Sequence, residues 1–387
     1  MKFAERMSRL GTETAFEVLA KAKGLEAQGK HIVHLEIGEP DFDTPKNIRE
    51  SAKKAIDDGW THYGPSAGLP HVRDVIAEEL SKTRGIEATR ENIVITPGGK
   101  PIMFFALMAL LGEGDEAIYP NPGFPIYESV INFSGAKAVP IPLREEKGFG
   151  IDVDELRSLV TPKTKVLIVN SPANPTGGVL AKEDLREIAK IAVENDLIVM
   201  SDEIYSRINY KGKFESITQF EGMPERTFIL EGLTKTYSMT GWRVGYGYFP
   251  LPLAAAMTKL MTNCNSCTTS FNQIAAIEAL TGDQTEVENM VAAFKERKDI
   301  IVNGLNKIDG ISCKDPEGAF YVFPNIKETG KSSKFLQDYL LEQGGVASLA
   351  GTSFGAFGEG YLRFSYANSV ENIQEALSRI ENALGKL

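Results

Sequence analysis

Gly232-Leu-Thr-Lys-Thr-Tyr-Ser-Met-Thr-Gly-Trp-Arg-Val-Gly-Tyr246 follows directly on Thr227-Phe-Ile-Leu230, a run apolar enough for a buried strand. The junction places Lys235 just past a strand end, eight residues before Arg243. A lysine there has little water to hold its charge, so desolvation lowers its pKa toward a nucleophilic amine. An amine with an arginine close behind suits covalent chemistry beside a bound anion. Schiff-base chemistry on a phosphorylated aldehyde needs both.

Similar runs recur on the N-terminal side of this junction. Asn92–Thr96, Glu116–Tyr119, Lys137–Ile141, Lys165–Val169 and Leu197–Met200 read as buried strands. Amphipathic stretches lie between them, such as Lys182–Glu194 with Leu185, Ile188, Ile191 and Ala192 on one face. The alternation predicts an α/β fold with a mostly parallel sheet covered by helices. Ligands of such sheets bind beyond the carboxyl ends of the strands. Five polar loops follow strands here: Pro97–Lys100, Pro120–Phe124, Asn170–Gly177, Ser201–Tyr205 and Gly232–Lys235.

A chain of 387 residues exceeds what one core usually supports, so more than one domain is expected. The sequence divides into an N-terminal arm with part of a small domain (1–45), a large domain (46–285) and a small C-terminal α+β domain (286–387). His31–Ile37, Ala319–Phe323 and Tyr361–Phe364 are strands expected in the small domain. A net charge of -10 argues against nucleic-acid or anionic-membrane partners. The longest apolar run, Ile102–Leu111, is too short to span a bilayer. The first ten residues lack the apolar stretch of a secretory signal, and 3 cysteines form no disulfide framework. A cytoplasmic protein is expected.

Each loop carries groups of recognisable chemistry. Gly98-Gly99-Lys100 precedes Pro101 and an apolar helix, so its amides would face outward from a helix start, where anions bind. The same pattern also describes an ordinary strand-to-helix turn. Arg243 offers a fixed positive fork for phosphate, or a surface ion pair. Asp202 would be buried after its strand and need a partner, either a protonated ring nitrogen or an arginine. Tyr205 and Asn174 could donate to a ring oxygen, and Phe124 could stack on the ring. The alternatives are a packed tyrosine, a turn asparagine and a core phenylalanine. Arg363, in Tyr-Leu-Arg-Phe-Ser-Tyr, either clamps a carboxylate from the core side or points to solvent.

In combination these motifs resemble the class I/II aminotransferases of fold type I, the aspartate-aminotransferase-like family that uses pyridoxal 5′-phosphate. The resemblance implies a mostly parallel sheet of the seven-stranded type in the large domain and a smaller α+β domain built from both termini. The similarity runs from Gly38-Glu-Pro-Asp-Phe42 through Asn-Pro-Thr-Gly (174–177), Ser-Asp-Glu-Ile-Tyr (201–205) and Thr-Lys (234–235) to Arg363. It implies that Lys235 forms the aldimine with the cofactor and shuttles a proton in catalysis. Asp202 would pair with the ring nitrogen, and Tyr205 and Asn174 would bind the ring hydroxyl oxygen. Arg243, Gly99, Lys100 and Thr234 would hold the cofactor on its phosphate side, with Phe124 stacked on its ring. Arg363, Gly38 and Asn174 would hold the substrate α-carboxylate, with Lys100 a candidate for a distal one. Tyr63 would reach the phosphate of a neighbouring subunit, implying a homodimer with shared active sites.

The implied function is ping-pong transfer of an amino group from an amino acid to a 2-oxo acid, on aspartate/glutamate-type or broader substrates. A β-lyase, decarboxylase or racemase on the same scaffold is the alternative. Three departures stand out: Gly232 replaces a hydroxyl residue, Phe124 replaces a tryptophan or tyrosine, and Pro101 removes one amide donor. A transcription regulator with such a domain would need a DNA-binding module; the enzyme-like pattern begins by about Thr14 and the acidic balance disfavours DNA, so no such regulator is expected. Gly24–Lys30 has P-loop spacing, but His31 follows where Ser or Thr is required. Cys264-x-x-Cys267 and His31-x-x-His34 lack further ligands, so no metal site is expected.

Overall fold

The computed structural model describes all 387 residues. Its centre is a seven-stranded sheet of β1 (Ile93–Thr96), β2 (Glu116–Asn121), β3 (Lys137–Pro142), β4 (Thr164–Asn170), β5 (Ile198–Asp202), β6 (Thr227–Gly232) and β7 (Gly245–Tyr248). The strand order is β1-β7-β6-β5-β4-β2-β3. All neighbouring pairs are parallel except those of β7, which runs against both β1 and β6. The six expected strands are all present. A seven-stranded sheet is what the resemblance implies, but the place of the seventh strand had no local signal, because Gly245-Tyr-Gly-Tyr248 reads as turn chemistry rather than as a strand. It is held because Gly232 and Gly245 lie opposite each other in the ladder.

Side chains alternate faces along each strand, as the pleat requires. In β4, Val166 and Ile168 pack with Ile102, Phe105 and Tyr127 from the helices on one face. Leu167 and Val169 pack with Leu185, Ile188 and Ile191 on the other. Both faces are therefore dry, which explains strands that read as nearly continuous apolar runs. The helix at Lys182–Glu194 falls where its periodicity placed it.

The two ends of the chain meet in smaller sheets. Val33–His34 pairs in parallel with Val346–Ala347, and Leu349–Ala350, Leu362–Ser365 and Tyr321–Val322 form an antiparallel trio. The long helix Thr285–Leu305 and the terminal helix Val370–Leu384 cover them, burying Phe294, Ile301, Ile373 and Ile380 with Phe320 and Phe364.

The expected strand His31–Ile37 is shortened to two residues. Past Leu35 the chain leaves the ladder, and the carbonyls of Glu36 and Gly38 are taken by Arg363 and Lys235 instead. Backbone acceptors that would have continued a strand are used at the site. No helix is long and apolar enough to cross a membrane.

Candidate active site

The loops after β1, β2, β4, β5 and β6 open onto one cavity of about 410 Å³, closed on the far side by Tyr321, Leu349, Phe354 and Arg363. Gly38, Gly99, Lys100, Phe124, Asn174, Asp202, Tyr205, Thr234, Lys235, Arg243 and Arg363 all line it. Tyr63 does not. Its side chain is 88% exposed, directed to solvent rather than into this cavity.

Lys235 follows β6 and donates its Nζ hydrogen bond to the Gly38 carbonyl. Burial lowers its pKa to about 8, and the charge of Arg363 pushes the same way. An amine there is substantially neutral at mildly alkaline pH, as nucleophilic or basic work demands.

Asp202, the last residue of β5, is buried. Tyr127 donates its hydroxyl to Oδ2 at 2.6 Å, and the Ile204 amide donates to Oδ1 at 3.2 Å. Burial nevertheless raises the carboxyl to about 6, against both hydrogen bonds. No cation touches it, so a positively charged group in the cavity would find an unneutralised partner. Tyr127 had no sequence signal beyond standing three residues after Phe124, one helical turn on. Tyr205 meets Tyr321 hydroxyl to hydroxyl at 2.8 Å, and burial holds the Tyr205 phenol well above its ordinary pKa.

Directly behind Asp202 lies a dry ion cluster. Arg84 donates to Glu203 at 2.5 Å and to Glu231 at 2.7 Å, and serines 201, 206 and 216 complete the carboxylates. Glu203 and Glu231 belong to the loop after β5 and to β6, so Arg84 ties together the segments that carry Asp202 and Lys235. Such a cluster fixes geometry more than it adds stability.

Two arginines face the cavity without a carboxylate partner. Arg363 is buried, against its expected alternative of pointing to solvent. It donates to Asn174 Oδ1 at 3.0 Å and to the Glu36 carbonyl at 2.5 Å, while its Nε has no partner. Its guanidinium lies 4.5 Å from the Tyr321 ring centre and 4.7 Å from that of Phe354. Held between two rings, it presents its edge to an incoming carboxylate. Arg243 donates only to the carbonyls of Thr240 and Pro97, at 2.9 and 3.3 Å.

Arg243 adopts a left-handed backbone, φ 55, unusual for a residue with a Cβ. Gly98 has φ 90, and a Cβ there would sit 2.1 Å from Arg243 Nη2. Glycine is required so that the guanidinium can lie against the start of helix Lys100–Leu110. The hydroxyl absent at 232 has a steric reason, since a Cβ on Gly232 would press to 3.2 Å from Gly245 Cα. Thr234 lies nearby, with its Oγ1 buried and unpartnered.

Phe124 packs edge-on to Tyr127, with ring centres 5.6 Å apart. Lys100, at the cavity mouth, forms an ion pair with Glu13. Glu13 and its neighbours Thr14 to Phe16 form a further wall from the N-terminal arm. Sequence reasoning missed this wall because it rests on a pairing across 87 positions.

The profile of Aminotransferase class I and II matches residues 30–380. The aspartate aminotransferase of Pyrococcus abyssi is 43% identical over 370 residues, 95% of each chain. Aromatic-amino-acid aminotransferase 2 of Thermococcus litoralis is 40% identical over 388 residues, 99% of this chain and 98% of its own. The solved aspartate aminotransferase of Thermus thermophilus with maleate superposes with a TM-score of 0.95 at 36% identity, covering 99% of this chain and 100% of its own. The mostly parallel seven-stranded sheet with its helices matches the fold type I architecture of such structures. With the family profile spanning most of its length and these relatives aligned nearly end to end, the chain belongs to the class I and II aminotransferases.

Proposed function

We propose that the cavity holds pyridoxal 5′-phosphate and that the enzyme moves amino groups from an amino acid to a 2-oxo acid, with aspartate or glutamate among its substrates. One observation carries this reading. A lysine of lowered pKa shares one cavity with an uncompensated carboxylate and two arginines that have no acidic partner. A molecule with two separated anionic groups and a cationic ring nitrogen satisfies every unmet group there. The names of the relatives, aspartate and aromatic aminotransferases, support a substrate range with both acidic and aromatic side chains.

When bound, that cofactor supplies an aldehyde that takes up an amino group and a ring that withdraws electrons from the bonds at the substrate Cα. The protein's own groups do the rest. Arg243, the amides at the start of helix Lys100–Leu110 and the free Thr234 hydroxyl would hold the phosphate. Asp202, steadied by Tyr127, would keep a proton on the ring nitrogen. Tyr205 and the Asn174 amide NH2 would donate to the ring oxygen, and Phe124 would flank the ring. Arg363, with Asn174 and the backbone at Gly38, would grip the α-carboxylate and fix which face of Cα meets Lys235. Lys235 would then remove and return the proton, and Lys100 would meet a distal carboxylate.

The exposed Tyr63 supports a homodimer in which that hydroxyl completes the partner's phosphate site. The division at 45/46 and 285/286 and a cytoplasmic location belong to the same proposal.

The test is spectroscopic. The reconstituted protein should show a visible absorbance band that bleaches on addition of glutamate or aspartate and returns with a 2-oxo acid. A band that persists while ammonia or carbon dioxide is released would contradict amino transfer.

The pH dependence of capture follows from two groups. Lys235 must be neutral to attack an aldehyde, whereas Asp202 is ionised above about 6. Between 6 and 8 only the lysine limits. Capture by the apo-protein should rise about tenfold per pH unit and level off above about 8. Trapping with borohydride at intervals of one pH unit measures this, and a flat profile would contradict the lowered pKa.

A further inference from the structure

Lys100 stands at the wrong end of a helix. As the first residue of Lys100–Leu110 it meets the positive pole of the helix dipole, where a cation is disfavoured without a nearby anion. Glu13 supplies that anion, although it lies 87 positions away in the sequence. Its side chain is only 18% exposed, whereas that of Lys100 is 51% exposed. Glu13 itself precedes helix Ala15–Glu26, whose N-terminal pole favours a carboxylate.

The pair sits at the mouth of the catalytic cavity, and its charges reach the interior. Glu13 raises the pKa of Lys235 and Lys100 lowers it. Thr14, the next residue, lines the same cavity with its Oγ1 buried and unpartnered. Phe16, Ile37, Phe124 and Phe354 add apolar surface to the same cavity.

We propose that Glu13 is a specificity-determining residue: an internal carboxylate that occupies Lys100 while the substrate side chain is neutral and yields it to the distal carboxylate of a dicarboxylic substrate. The inference rests on the aminotransferase reading of the cavity. With an aromatic side chain, Glu13 stays on Lys100 and the mouth remains neutral against the phenyl rings. With a dicarboxylic side chain, the incoming carboxylate takes Lys100 and the Thr14 hydroxyl, and Glu13 turns to solvent. One cavity then accepts both substrate classes, and Glu13 sets their ratio as a competitor for the acidic class alone.

Glu13→Gln removes the competitor. It should raise kcat/KM for glutamate and aspartate about fivefold, through KM, because a half-exposed ion pair has only a modest hold. Phenylalanine and tyrosine should lack this gain, and a change common to both classes would report only the charge that Glu13 places on Lys235. Dissociation constants should follow the same split, with maleate tightened and 3-phenylpropionate not. Lys100→Ala should lower kcat/KM about ten- to hundredfold more for the acidic substrates than for the aromatic ones, as loss of a charged hydrogen bond predicts. Adding Glu13→Gln to Lys100→Ala should then give no selective gain for the acidic class. Equal shifts for both classes in Glu13→Gln, or a gain that survives in the double variant, would overturn the role of Glu13. Equal losses in Lys100→Ala would instead remove the distal-carboxylate contact beneath it. Absence of any amino transfer would strike at the reading of the cavity itself.

Discussion

Lys235→Ala is expected to leave a folded protein that has lost turnover by at least about 10⁴-fold. Positioned proton transfer contributes roughly 10²–10⁴ in rate, and the covalent hold on the aldehyde disappears with the same side chain. The structural cost is small, since the substitution frees one carbonyl, that of Gly38, at the rim of a cavity. Pyridoxal phosphate should still bind through the remaining contacts, but it should dialyse away after borohydride treatment instead of staying attached. Lys235→Arg separates charge from chemistry. It restores a cation yet cannot be deprotonated, so it should be as inactive as the alanine variant. Turnover near the wild-type rate in either variant would remove Lys235 from the mechanism.

Asp202→Asn should pull activity and stability in opposite directions. Losing the charge opposite a buried cation costs roughly 3–5 kcal/mol, so kcat should fall by about 10²–10⁴-fold. In the apo-protein the same charge is a burden. The Asp202 pKa is raised to about 6 from an ordinary 3.8, so between these values the folded state binds more protons than the unfolded one. Stability of the apo-protein therefore declines as pH rises through that window, by up to about 3 kcal/mol above pH 6. Asparagine carries no charge and still accepts from Tyr127. Apo Asp202→Asn should thus melt at a higher temperature than apo wild type at pH 8 and at a similar temperature near pH 4. Calorimetry at the two pH values, with turnover assays, tests both halves. A variant that is less stable at pH 8 would make Asp202 a structural residue instead.

Much of this architecture was legible because its signals are local. Buried parallel strands need apolar runs, and six of the seven could be read from composition alone. The loops after them stood out because polar and glycine-rich segments break those runs. The seventh strand escaped because Gly245 and Gly247 are glycines for packing reasons, and nothing local distinguishes that from a turn. Tyr127 escaped for a different reason: its role is a single hydrogen bond to a residue 75 positions away. Arg363 could not be oriented from an alternating pattern, and only the rings of Tyr321 and Phe354 decide which way it points. The strand expected at His31–Ile37 was overextended because its apolar character continues after its backbone has turned to other partners.

The arm that carries Glu13 is fastened lightly. Beyond the Lys100 pair, the Gly11 amide and carbonyl share the hydroxyl of Ser129, and the residues before them are exposed. Asp202 and Lys235, by contrast, are set by a seven-stranded sheet and the cluster around Arg84. Inheritance can therefore act on the two separately. On the proposed role of Glu13, a drifting lineage could replace residues 11–16 and change its range of amino acids while Lys235 stays in register. On that proposal an altered arm would change chiefly the choice of substrate, whereas an altered strand end would displace Asp202 or Lys235, and paralogues diverging from such an ancestor would be expected to differ first in the arm.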